Sequence, residues 1–172
     1  MSKLFKHTDL MFIIIGTISI ISVLFILCPF YSETTSDGSS LIYHGYDLAF
    51  GNTVTVNDQG IIYSTTFSIN VWLLVAFQLL ILGGLGIIFG RNSLLGSLFG
   101  LFLSLVACVG IWLTPTFISM LNPEFLFSGI KIEYGYILEL VFSTFVVCAS
   151  LFVVVLVIIK QHINKSAVKK SA

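Results

Sequence analysis

Residues 71–113 read VWLLVAFQLLILGGLGIIFGRNSLLGSLFGLFLSLVACVGIWL. The stretch holds two apolar runs, 71–89 and 93–113, separated by little more than Gly90, Arg91 and Asn92. Each run has about the 20 residues an α-helix needs to cross a hydrocarbon layer about 30 Å thick. A connection so short joins only an antiparallel pair of helices. Two more runs of this kind, 10–30 and 136–159, bring the number to four, and Glu139 is the sole charged side chain in any of them. The chain therefore reads as an all-α membrane protein, a bundle of four transmembrane helices forming one membrane domain over residues 1–172. Residues 31–70 and 114–135 are its outer loops, and 160–172 its cytoplasmic tail.

Composition leads to the same class. Of the 172 residues 57% are hydrophobic and only 9% charged, against roughly 25% charged in a soluble domain. Lys3 and Lys6 precede the first apolar run as in a secretory signal, but the run is too long for a signal core and no small-x-small cleavage site follows before Pro29. Leu27 stands before Cys28 where a lipoprotein signal would need a small residue, so the first helix is expected to remain as an anchor.

Charge sets the expected orientation. Lys3, Lys6, Arg91, Lys160, Lys165, Lys169 and Lys170 fall at the N-terminus, in the tight turn and in the tail, which share one side of a four-span topology. Cytoplasmic loops carry the excess of Lys and Arg, so both termini are expected in the cytoplasm. The other side holds Glu33, Asp37, Asp47, Asp58, Glu124 and Glu133, with Lys131 as its only cation. The tail lysines could also attract anionic headgroups. Trp72, Trp112, Tyr31, Tyr134 and Tyr136 lie near the expected outer ends and suit headgroup anchoring. Pro29 and Pro115 mark the outer exits of the first and third helices.

The outer loops read as a small antiparallel β-sheet. Residues 41–43, 53–56 and 61–69 are rich in β-branched and aromatic side chains, and Asn57-Asp58-Gln59-Gly60 suits a hairpin turn. Residues 125–127 and 130–134 alternate around Ser128-Gly129 and add a further strand. The run Ile61-Ile62-Tyr63 is expected to pack against the helix ends or a partner.

Within the spans, residue size carries the pattern. Gly96, Gly100, Ser104 and Ala107 line one face of the third helix, and Ala76, Gly83, Gly86 and Gly90 form a stripe on the second. Small residues let helix backbones approach, so the two stripes are expected to meet, either within the bundle or as the seam of a homo-oligomer. Polar residues are few. Glu139 lies about one turn below the outer boundary of the fourth helix, on a face shared with Tyr136, Ser143 and Ser150. It suits a structural or interfacial role in reach of headgroup water, or an ion or proton role. Gln78 in the second helix is a candidate partner for it.

Nothing in the chain assembles a catalytic, metal or nucleotide motif. Cys28, Cys108 and Cys148 form no Cys-x-x-Cys pair and read as buried, inert thiols. His44 and Asp47 are metal-compatible, but two ligands without a third make no zinc site. No cofactor and no nucleic-acid partner are expected.

The segment Gly45-Tyr46-Asp47-Leu48-Ala49-Phe50-Gly51 resembles a Gly-x-Asp-(Leu/Val)-x-Phe-Gly signature in small four-span proteins of Gram-positive bacteria and mollicutes. That resemblance implies a layout and no activity. In outline the chain is also similar to claudins, whose strand-bearing first outer loop joins the first two helices of a left-handed four-helix bundle. Independently of either resemblance, Asp47 between two glycines suits a turn whose carboxylate binds backbone N–H groups, with Phe50 inserted toward the helix ends. Lys in preference to Arg, with abundant Ile and Phe, fits an AT-rich bacterial genome and a plasma membrane. By exclusion, the leading expectation is a non-enzymatic membrane protein that presents its outer sheet to a membrane or extracellular protein. The alternative is a small transporter or channel, dimeric through the glycine faces, with Glu139 as its coupling residue.

Overall fold

The structure, a computed structural model, describes residues 2–34, 38–58, 61–91, 93–123 and 130–171. Four long helices dominate it: α1 (Ser2–Ser22), α3 (Val71–Gly90), α4 (Leu94–Trp112) and α6 (Tyr134–Ser171). The stretches Asp9–Leu27, Val71–Gly90, Leu94–Trp112 and Tyr134–Ile163 are long and apolar enough to cross a membrane. They pack as a ring in which α1 touches α3, α3 touches α4, α4 touches α6 and α6 returns to α1. Side-chain caps start two of them: Asn70 accepts the Leu73 N–H at 3.0 Å, and Ser93 that of Gly96 at 3.4 Å.

Helix one is shorter than its apolar run of 10–30. Its α-helical part stops at Ser22, a 3₁₀ segment follows over Val23–Leu27, and Pro29–Thr34 is a strand, β1. Pro29 explains the break, since it forces its predecessor out of the helical region; Cys28 is extended at φ −88° and ψ 157°. The fourth helix is longer than residues 136–159, because no Gly or Pro after Gly135 halts it, and the tail continues as helix to Ser171. A short helix, α5 (Thr114–Leu121), occupies what reads as loop, with Pro115 in its first turn where no N–H is needed.

At one end of the bundle lie two antiparallel sheets. β1 is the centre of a three-stranded sheet, between β2 (Ser40–His44) and β5 (Ile130–Ile132). Tyr31 faces Tyr43 on one side and Ile132 on the other. β3 (Thr53–Asp58) and β4 (Ile61–Thr66) make a separate hairpin in which Thr53 faces Thr66 and Asp58 faces Ile61. The hairpin's Gln59 and Gly60, and the strand expected at 125–127, lie outside the described residues.

One core runs from sheet to helices. Phe30, Tyr31, Leu41, Tyr43, Leu48 and Phe67 join Leu73, Ala76, Phe77, Leu80, Ala107, Ile111 and Tyr136 in a single buried cluster. Tyr31 and Tyr136 are therefore core residues rather than interfacial anchors, with ring centroids 5.3 Å apart. Trp72, Trp112 and Tyr134 do face outward. So do Leu95, Phe99 and Phe102 on α4 and Leu82 and Phe89 on α3, leaving the ring apolar on its outside.

Close approach between α3 and α4 follows their small residues. A Cβ on Gly100 would meet the Ile87 nitrogen at 2.6 Å, one on Gly86 would meet the Gly100 Cα at 2.9 Å, and one on Gly83 would meet the Ser104 hydroxyl at 2.5 Å. Gly90 and Gly96 touch directly, and Ala76 meets Gly110. The α1 and α3 pair adds a second such contact, Gly16 against Gly84, which the sequence pattern alone did not single out. These faces are filled within the chain, so a homo-oligomer seam through them would require the helices to part.

Candidate functional site

Three polar groupings stand out, two in the sheet layer and one inside the bundle. The first is the segment at residues 44–52. Gly45–Phe50 forms a six-residue helix, α2, and Asp47 at its third position is buried and turned back on its own start. Its Oδ2 accepts the His44 backbone N–H at 3.0 Å and lies 3.3 Å from His44 Nδ1; its Oδ1 accepts from Asn52 Nδ2 at 2.7 Å. His44 and Asp47 thereby close a capping box at the start of α2, each side chain facing the other's backbone N–H. The His44 ring stacks on Tyr46 with centroids 5.3 Å apart.

The glycines of this segment have separate duties. A Cβ on Gly45 would meet the Phe30 ring at 2.8 Å, so the first is a close approach. Gly51 has φ +73°, which side chains rarely adopt, and ends α2. Leu48 and Ala49 carry the segment into the core. Phe50 does not: it is 59% exposed, against the expectation that it inserts toward the helices. Tyr46 and Phe50 lie four residues apart and so share the outward side of α2, because a helix turns once in about 3.6 residues.

The second grouping ties the sheets together. The Tyr43 hydroxyl donates to Glu33 Oε2 at 2.8 Å and lies 3.2 Å from the Thr65 hydroxyl on the hairpin. Burial first, then the neighbouring Glu33, pushes the Tyr43 phenol up to about 12, although the Thr65 contact works the other way. Burial, together with Tyr136, also raises Tyr31. On the other face of β1, Ser32 donates to Glu133 Oε1 at 2.5 Å. The alternating pattern placed Tyr43, Thr65 and Glu133 in strands but left Ser32 and Glu33 in a polar loop, and no spacing rule pairs Glu33 with Tyr43 or Ser32 with Glu133.

The third is Glu139. It is fully buried, and neither carboxyl oxygen has a hydrogen-bond partner among the described residues. Headgroup water is therefore out of its reach, against one of the roles expected for it. An uncompensated carboxylate in such a place costs several kcal/mol, so the side chain requires a proton or a counter-charge. Gln78 does not supply a bond: it is exposed on α3, and neither Glu139 oxygen is bonded to it. The neighbours on the same face of α6 are satisfied, Tyr136 donating to the Ile111 carbonyl at 3.2 Å and Ser143 to that of Leu140 at 3.2 Å.

The cysteines are free, with Cys108 buried, Cys28 half-buried and Cys148 exposed on α6, where an inward position was expected. Among the described residues no three of His, Cys, Asp and Glu gather as a metal site, and His44 has only Asp47 beside it. Such an arrangement defines a class by architecture: a ring of four membrane-length apolar helices closed at one end by small antiparallel sheets. Compared with known protein families and with curated proteins, the chain matches neither a family nor a curated protein.

Proposed function

We propose that the chain is a non-enzymatic, four-span protein of a bacterial plasma membrane, with both termini cytoplasmic, that presents its sheet layer to a protein partner. Insertion is supported by the apolar outer surface of the helix ring, and orientation by the lysines gathered at the end opposite the sheets. Catalysis is set aside because the sequence supplies no clustered nucleophile, base or metal set.

The observation that carries the reading is Tyr46 and Phe50. Gly45, Asp47, Leu48 and Ala49 have packing, capping or close-contact duties, while the Phe50 ring stands exposed and the Tyr46 ring, stacked on His44, is partly exposed on the same side of α2. Their segment is anchored to the bundle through Leu48 and Ala49, so the rings form a rigid patch that costs little ordering entropy to bind. Aromatic side chains held in this way are the usual anchors of protein interfaces. Ile62, 69% exposed on the hairpin, adds apolar area to the same layer; Ile61 and Tyr63, expected to pack beside it, lie outside the described side chains.

Purification in mild detergent after crosslinking tests this. The wild-type chain should bring down one partner in stoichiometric amount, and Tyr46→Ala with Phe50→Ser should lose it while keeping the thermal stability of the bundle. Unchanged capture by the double variant would remove the patch from the interface.

A further inference from the structure

Glu139 is placed by its neighbours on α6. Phe142 packs on Phe25 with ring centroids 5.1 Å apart, and a Cβ on Gly135 would meet Cys28. Glu139 therefore lies level with the 3₁₀ segment Val23–Leu27, where the first helix abandons α-helical bonding. On α4, Tyr136 reaches the Ile111 carbonyl and Thr144 lies 3.7 Å from Cys108 Sγ, so the stretch level with Glu139 lies between Cys108 and Ile111 and includes Gly110. A Cβ on Gly110 would touch Ala76, and α3 too is small at this level. About one turn further into the bundle two more oxygens are buried: Ser143 on α6 and Ser22 at the end of α1. Each donates to a carbonyl of its own helix, which leaves its lone pairs available.

We propose that Glu139 is the acidic ligand of a buried site for one small monovalent cation, which enters in exchange for the carboxyl proton. The exchange is balanced: the acid and the cation give the cation carboxylate and one released proton. Carboxylate and hydroxyl oxygens, with carbonyls where a helix leaves α geometry, are the hard ligands such cations take. No fixed charge competes, because α3, α4 and the 3₁₀ segment carry no Asp, Glu, Lys, Arg or His. The other titratable groups facing this region are Tyr136, Tyr31, Cys28 and Cys108. The site is independent of any partner bound to the sheets, so the two readings fail separately.

Dicyclohexylcarbodiimide tests the proposal on the full wild-type chain in detergent. The reagent enters apolar sites and reacts with the protonated acid, its N=C bond taking up the carboxyl oxygen and the proton. Mass mapping should find the adduct on Glu139, absent in Glu139→Gln. Replacing choline chloride by lithium, sodium or potassium chloride at constant pH and ionic strength should slow that labelling several-fold for at least one cation. Labelling indifferent to all three would show a proton site or a structural acid and overturn the proposal, as would a chain that takes no label at any pH.

Discussion

Tyr43 links the two sheets through a neutral phenol, since its hydroxyl spans Glu33 on β1 and Thr65 on the hairpin. Its titration midpoint is raised from the ordinary 10.0 to about 12, so the folded state holds the proton more tightly than the unfolded chain. The contribution is then complete below pH 10.0 and is lost as pH rises toward about 12. Phenolate absorbance followed beside amide exchange of β2 and β4 should show the hairpin loosening in that window. Tyr43→Phe should abolish the coupling and cost about 1 kcal/mol, the net worth of an ordinary hydrogen bond. Asp47 differs because it is buried and accepts from two donors, the His44 backbone N–H and Asn52 Nδ2. Asp47→Ala should destabilise the chain by about 1–3 kcal/mol, measured by thermal unfolding in detergent, because it strands the His44 N–H and the Asn52 amide. The turn role of Asp47 was legible from its place between two glycines, whereas the outward Phe50 was not: six residues are too few to fix which side of a helix faces the core.

Among the elements, the long helices were readable because a run of about 20 apolar residues has few other uses. The shorter pieces were hidden by their surroundings. β1 begins inside the first apolar run, where Pro29, Phe30 and Tyr31 look like the end of a span, and α5 is only eight residues long. Which side of a helix turns inward was readable only where residue size varies. On α4, Gly100 and Ser104 contrast with Leu98 and Phe102, and the small side is the one that meets α3. On α6 the apolar residues go all round, so the full burial of Glu139 could not be told from the sequence, whereas on α3 the stripe of Ala76, Gly83, Gly86 and Gly90 points inward and Gln78 projects away from it. Gly100→Leu should therefore cost about 3 kcal/mol or more, since its side chain would collide with the backbone of Gly86 and Ile87. Leu98→Ala, on the outward side, should cost under about 1 kcal/mol. Equal melting temperatures for the two variants in detergent would mean that α3 and α4 do not meet along this face.

For the whole molecule, the formal net charge of zero conceals a separation along the bundle axis. The sheet end carries Glu33, Asp47 and Glu133 against Lys131, while Arg91 and Lys160 lie toward the other end, beyond an apolar ring. In the topology proposed above, a bilayer would turn that separation into an orientation, because cationic segments are retained in the cytoplasm. The sheet is also tied to the helices by a common core, so an orientation fixed by the lysines fixes the side on which Tyr46 and Phe50 are displayed. Single-cysteine labelling on a chain with Cys28, Cys108 and Cys148 replaced is the direct measure. Ser39→Cys and Asn57→Cys should react with an impermeant maleimide in intact cells, and Ser166→Cys only after the membrane is opened. Asn57 is exposed on the hairpin, so its reactivity reports the sheet layer, and Ser166 lies in the helical tail beyond the fourth apolar stretch. Reaction of Ser166→Cys in intact cells, with the other two protected, would place the sheet in the cytoplasm and move the search for its partner there.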